Sequence, residues 1–218
     1  MDDKHITVPD YKDWEYSLDQ AYTIACDKLR DITDIPQQCR NSGCDYRQEN
    51  GKEVIGVRYL DALYNLVLPD ITITPADSGD ELSYREQVLV LHYFTSAQGT
   101  PPSGKLITFR ELPEGVVYFP TFSKRTIKPL VANFGNQPSL LHEVSKSYNS
   151  VSADFGDTGI TVNAFNLVPL TIVLWHGDDE FPPEGNILYD ANITDYLSTE
   201  DITVISELVT WKLVRKLR

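Results

Sequence analysis

The sequence predicts an α+β fold: one domain with an antiparallel β meander packed against about five helices. Three observations carry this reading. Apolar residues recur at helical spacing in separate blocks, notably at Trp14, Leu18, Ala21, Tyr22, Ala25, Leu29 and Ile32. Short β-branched and aromatic runs are separated by turn residues, with Asn50-Gly51 as a hairpin signal. No regular alternation of strand and helix runs through the chain, so a parallel doubly wound sheet is not expected. The 218 residues contain no Pro/Ser/Gly linker, repeat or low-complexity run, which fits a single domain over 13–218 behind a loose tail at 1–12.

The elements follow in order. The first block predicts a helix over 14–32, with Asp13 as N-cap. A polar connector holding Cys39 and Gly43 comes next. The segments CDYRQE and KEVIGVRY flank Asn50-Gly51 and read as a hairpin. YNLVLP (64–69) continues the meander after a turn at Asp61-Ala62, and ITIT (71–74) extends it. Ser83 and Glu86 form a capping box that opens a helix over 83–97. Its VLVLHYF run is apolar on every face, the pattern of a central buried helix. Gly99, Pro101, Pro102 and Gly104 end it. LITFREL and GVVYFP read as strands around Pro113-Glu114-Gly115. A helix is expected over 121–134, with Pro129 tolerable only in its first turns, and another from Pro138 to about Tyr148. ITVNAF, LTIVLW and NILYDA are strands. Ser198 caps a last helix whose buried stripe is Ile202, Ile205, Val209 and Leu213.

Composition removes several function classes. With 19 Lys+Arg against 32 Asp+Glu, the net charge is −13. Neutralising phosphates needs a basic face, so nucleic acid is not an expected partner. An anionic membrane surface is disfavoured for the same reason. No segment reads as a membrane span or a signal peptide. Three cysteines, Cys26, Cys39 and Cys44, fit a reduced thiol inventory and a cytoplasmic setting.

The local motifs are weak. Gly99-Thr-Pro-Pro-Ser-Gly104-Lys105 has phosphate-loop spacing. It follows a helix, puts Leu106 where a magnesium-binding hydroxyl belongs, and carries two prolines without N–H donors. Asp154-Phe155-Gly156 lacks every other kinase element. His142-Glu143 fails the metalloprotease pattern because Lys146 stands at the second His position. His5 lies in the tail, and His92 reads as a satisfied core histidine within the buried helix. Two stretches stand out. The acidic run Trp175 to Glu184 follows an apolar strand directly and carries His176. Its carboxylates suit a hard cation or acid–base work, and equally a solvated loop. In the other, Phe109 to Arg125, arginines lie among aromatics and suit an anionic or planar ligand, or structural ion pairs.

At these stretches the sequence resembles the uncharacterised prokaryotic family catalogued as domain of unknown function 3786. The residues that carry the resemblance are Gly99-Thr-Pro, Gly104, FRELPEG (109–115), Tyr118, Pro120, Phe122, Arg125, Pro129-Leu130 and Phe134-Gly135. They continue with LWHGDDEFPPE (174–184), Leu188, Asp190 and YLSTED (196–201). The resemblance covers about residues 14–217 and is strongest in the second half. His176 stands where the family often has an acidic residue, so no shared role is carried to it. The resemblance implies no established activity, and an association with anaerobic redox or cofactor metabolism. The four-cysteine iron–sulfur segment that some members add is not present here.

Three functional expectations remain open, in this order. The first is a non-catalytic binding or accessory domain for a small anionic ligand or cofactor of unknown identity. Its candidate set is Arg110, Glu111, Tyr118, Arg125, Trp175, Asp178, Glu180, Phe181 and Asp190. Arg110 or Arg125 is then expected to pair with Asp178 or Glu180, with Phe181 aimed inward. The second is an acidic module that docks a basic protein partner. The third is a hydrolase-like enzyme with a divalent cation on Asp178, Glu180 and Asp190.

Overall fold

Nine antiparallel strands form one sheet, ordered β4-β3-β2-β7-β8-β9-β5, with β1 beside β2 and β6 beside β7. The computed structural model describes residues 11–77 and 79–217. The tail expected at 1–12, with His5, falls almost wholly outside them; Tyr11 and Lys12 already belong to the first helix.

Helix α1 (Tyr11–Arg30) is followed by α2 (Ile35–Ser42), where only a connector is expected. The signals for α2 are local. Asp34 accepts from the Gln37 amide, Pro36 sits in the first turn, and Gly43 closes the helix in the left-handed region at φ 64°. Strands β1 (Asp45–Glu49) and β2 (Lys52–Tyr59) form the expected hairpin, pairing Glu49 with Lys52. Asn50 and Gly51 both take positive φ, 51° and 78°, as a type I′ turn requires. The next turn is Leu60-Asp61, one residue earlier than expected, leading into β3 (Ala62–Leu68) and β4 (Thr72–Pro75).

Helix α3 (Tyr84–Ser96) opens with the full capping box: Ser83 Oγ accepts from the Glu86 amide, and the Glu86 carboxylate accepts from the Ser83 amide. Its middle is buried as expected, with Val90, Leu91, Tyr93 and Phe94 all fully shielded. It packs between α1, α2 and the C-terminal helix. Beyond it, β5 covers only Leu106–Thr108, and Phe109–Glu111 is a 3-10 turn.

GVVYFP is helical, not a strand: it opens α4 (Gly115–Arg125). The β-branched pair that suggested a strand, Val116 and Val117, faces solvent at 67% and 80% exposure. What α4 buries is Phe122, stacked on Phe109 with ring centroids 3.9 Å apart. The helix expected at 121–134 is broken at Thr126 (φ −126°, ψ −72°), and α5 (Ile127–Phe134) follows. Pro129 is its third residue, where a missing N–H costs nothing.

Helix α6 (Ser139–Ser145), strands β6 (Val151–Ala153), β7 (Thr158–Phe165), β8 (Val168–Trp175) and β9 (Glu184–Asp190), and helix α7 (Thr199–Arg215) complete the chain. Among the described residues the helices number seven where about five are expected, because α2 is added and one helix is split. The stripe Ile202, Ile205, Val209 and Leu213 is buried, as its spacing requires. A single apolar cluster runs from Ala25 on α1 to Val214 on α7. No described helix is long and apolar enough to cross a membrane.

Candidate functional site

Helices α3, α4 and α7 enclose a cavity of about 690 Å³ with α1 along one side, a volume in the ordinary range for small-molecule sites. Helical spacing selects its walls. From α3 come Arg85, Val88, Leu89 and His92; from α4 come Tyr118, Thr121, Phe122 and Arg125. Both sets follow i, i+3, i+4, i+7, so each is one face of its helix. Helix α7 adds Ser198, Thr199, Glu200, Asp201, Thr203 and Val204, and α1 adds Leu18 and Ala21.

Two charged clusters sit on these walls. In one, Arg85 Nη2 donates to Glu207 Oε2 at 2.6 Å, and Arg125 donates to the same oxygen. Burial opposes the Glu207 charge, but the two arginines outweigh it and hold the carboxyl below its usual range. Two cations share one anion, which leaves a surplus positive charge. In the other cluster, His92 Nδ1 lies 2.8 Å from Asp201 Oδ1. Ser198 Oγ donates to Asp201 Oδ2 at 2.6 Å and accepts from the Asp201 amide. Burial again opposes ionisation, and His92 and Ser198 again win, so Asp201 is held low. His92 is thus satisfied, as expected of a core histidine, but it is partly exposed on the cavity wall. Its Nδ1 is committed to Asp201, leaving Nε2 for a ligand. Ser198 reaches Asp201 and not the imidazole, so the three do not form a nucleophile triad.

The approach to α4 closes one end. Thr199 Oγ1 donates to the Pro113 carbonyl at 2.9 Å. Glu114 takes the left-handed conformation, φ 59°, immediately before Gly115.

The predicted site residues divide. Tyr118 and Arg125 line the cavity. Arg110 instead stacks on Phe119, 3.8 Å from its ring centre, and Glu111 caps the 3-10 turn by accepting from the Thr108 amide and hydroxyl. Asp190 is buried as a brace: it accepts from Ser103 Oγ, the Ser103 and Gly104 amides, and the Asn192 amide. It thereby pins the loop after α3, and its carboxyl is held low by those donors against the cost of burial. None of residues 175–184 lines the cavity. Asp178 Oδ1 accepts from the Glu180 and Phe181 amides, and these amides lower its carboxyl. Backbone N–H groups therefore offset Asp178 where arginine was expected; among the described residues neither Arg110 nor Arg125 pairs with Asp178 or Glu180. Phe181, expected to aim inward, is 67% exposed, and Trp175 is also exposed. Asp178, Glu180 and Asp190 do not gather: among the described residues no group of three or more His, Cys, Asp or Glu is placed to hold a metal ion.

The residues that sequence reasoning missed are Arg85, His92, Asp201 and Glu207. One signal was present: a histidine inside an otherwise apolar helix needs a buried polar partner. The thiols offer no nucleophile in this site. Burial pushes Cys39 up to about 12 and Cys44 up to about 11.

The carboxylates give a pH prediction. Glu86, Asp190, Asp201 and Glu207 are all held below their ordinary values. For Glu86 the cause is Lys212 and Ser83 acting against burial. A depressed folded-state value means stability is fully present above the unfolded value, about 4, and is lost as pH falls through the folded values. Thermal melts should be nearly flat between about pH 8 and 5 and drop steeply below about pH 4. A melting temperature that rises on acidification through that range contradicts these pairings.

No curated protein and no solved structure matches this chain. The model of one family, described as domain of unknown function (DUF3786), matches residues 34–211. That span takes in α2 to α6, most of α7 and both charged clusters of the cavity, and on it the chain belongs to the DUF3786 family.

Proposed function

We propose that this chain is a binding module for a small organic anion, held in the cavity between α3, α4 and α7. The observation that supports it is the placement of Arg85 and Arg125 on one shared carboxylate at one end of a cavity whose middle is faced by Val88, Leu89, Phe122 and Val204. A ligand carboxylate or phosphate offsets the surplus charge and finds a planar guanidinium with unspent donors. Its apolar body displaces water from the middle of the cavity. The ligand belongs, in this reading, to the anaerobic redox or cofactor metabolism that the family resemblance implies, in the cytoplasm. The role is binding rather than catalysis.

Octanoate is a suitable probe because it joins one carboxylate to an apolar chain. It should raise the melting temperature of the wild-type chain in a saturable way, by about 2–4 °C for each kcal/mol of binding linkage. Arg125→Gln should remove most of that rise while leaving the ligand-free melt within about 1 kcal/mol, since the Arg125 side chain is more than a third exposed and the shielded Glu207 carboxylate keeps Arg85 as its partner. An octanoate response unchanged in Arg125→Gln rules out this site.

One observation favours an interaction module instead. Between Lys146 and Lys212 the chain has no Lys or Arg, and Phe155, Trp175 and Phe181, on two neighbouring loops of that stretch, are exposed, as is Trp211 on α7. Their two loops are tied together by the His176 amide donating to Asp157. An acidic, aromatic surface of this kind suits a basic partner.

A further inference from the structure

We propose that the cavity takes a zwitterion: an elongated small molecule with an anion at one end, a cation at the other and an apolar spacer between. This rests on the reading of the cavity as a small-ligand site and specifies its ligand class. Helices α3 and α7 face each other through two ion-paired contacts. Arg85 pairs with Glu207, and His92 with Asp201. Moving seven residues up α3 moves six residues down α7, so the helices run antiparallel and the clusters stand at opposite ends of the cavity. Seven residues of helix span about 10 Å.

The two ends carry opposite charge. Among the described residues lining the cavity, Arg85 and Arg125 are the only Lys or Arg side chains, and both belong to the Glu207 cluster. Two guanidinium groups against one carboxylate leave that end at plus one. The other end holds the carboxylates of Glu114, Glu200 and Asp201. The N-termini of α4 and α7 lie there and return about half a unit of positive charge each. A protonated His92 returns one more. Three negative charges less one from the helices and one from an imidazolium still leave about minus one. Between the ends the wall is apolar, at Val88, Leu89, Phe122 and Val204.

A plain fatty anion satisfies the arginines but leaves its tail against the carboxylate end. A dianion places like charge there and is rejected. A cation at the far end offsets those carboxylates and adds attraction without disturbing the arginine contact. The fit in length is to a chain whose charges stand about 10 Å apart, as in an ω-amino acid.

The test is calorimetric titration of the full chain at low ionic strength with 8-aminooctanoate, octanoate and suberate. The amino acid should bind about fivefold to tenfold tighter than octanoate, a difference of about 1–1.4 kcal/mol. Suberate should bind more weakly than octanoate. In a Glu114→Gln/Glu200→Gln double variant, both of whose changed side chains are exposed, the amino acid should lose its advantage while octanoate affinity is kept. If octanoate binds in an Arg125-dependent way but the amine adds nothing, or suberate binds as tightly as the amino acid, the zwitterion is wrong and the anion site stands. If none of the three binds, both readings fall.

Discussion

Leu91→Ala should destabilise the chain by about 2–5 kcal/mol, the range for truncating a fully buried leucine that leaves a cavity. Leu91 is completely shielded in the middle of α3 and belongs to the same apolar cluster as the buried faces of α1, α7 and the sheet. Interiors at crystal-like density relax only partly around a lost side chain, so lost dispersion and cavity terms add. Chemical denaturation should show a lower midpoint at an unchanged m-value. A midpoint equal to wild type removes α3 from the centre of the core. Leu91 lies off the face that Arg85, Val88, Leu89 and His92 turn to the cavity, so the loss is one of core packing.

Gly115→Ala is the second large effect, and it acts through backbone. A Cβ at Gly115 would stand 2.0 Å from the Phe109 carbonyl oxygen and 3.1 Å from its carbon. Neither atom belongs to a flexible side chain. The Phe109 ring is fixed by stacking on Phe122, and the Gly115 amide is fixed by its bond to the Leu112 carbonyl. The junction between the 3-10 turn and α4 must therefore open, at about 3 kcal/mol or more, above the usual range for added volume in a core. Because Glu114 and Tyr118 flank this glycine on the cavity wall, the variant should also lose octanoate binding. A Gly115→Ala chain with wild-type melting and binding contradicts the packing described for this junction.

Much of the fold was legible because its signals are local. Asn50-Gly51 selects the hairpin turn by positive φ, and Ser83 with Glu86 fixes the start of α3. Helix α2 carried equally local signals in Asp34, Pro36 and Gly43, but its polar surface hid them. The segment 115–120 misled for a different reason. Val116, Val117, Tyr118 and Phe119 have strand propensity, and only the Phe109–Phe122 stack and the close approach at Gly115 make them a helix. Those contacts join the 3-10 turn to α4, and packing of this kind overrides propensity. The cavity was the least legible part. Arg85 and Glu207 are separated by 122 residues and His92 and Asp201 by 109, and no spacing rule connects them. Arg125 and Tyr118 were found because they lie in a dense, motif-like stretch. The acidic loop at 177–184 was equally conspicuous, yet it satisfies Asp178 with its own amides and lies outside the cavity.

Amide chemical-shift mapping of the labelled chain during an octanoate titration reports whether a small anion binds between α3, α4 and α7. Binding there should produce saturable shifts confined to residues 85–92, 118–125 and 198–207. Shifts confined to residues 154–157 and 175–184, or no saturable shifts in the three helices, contradict it.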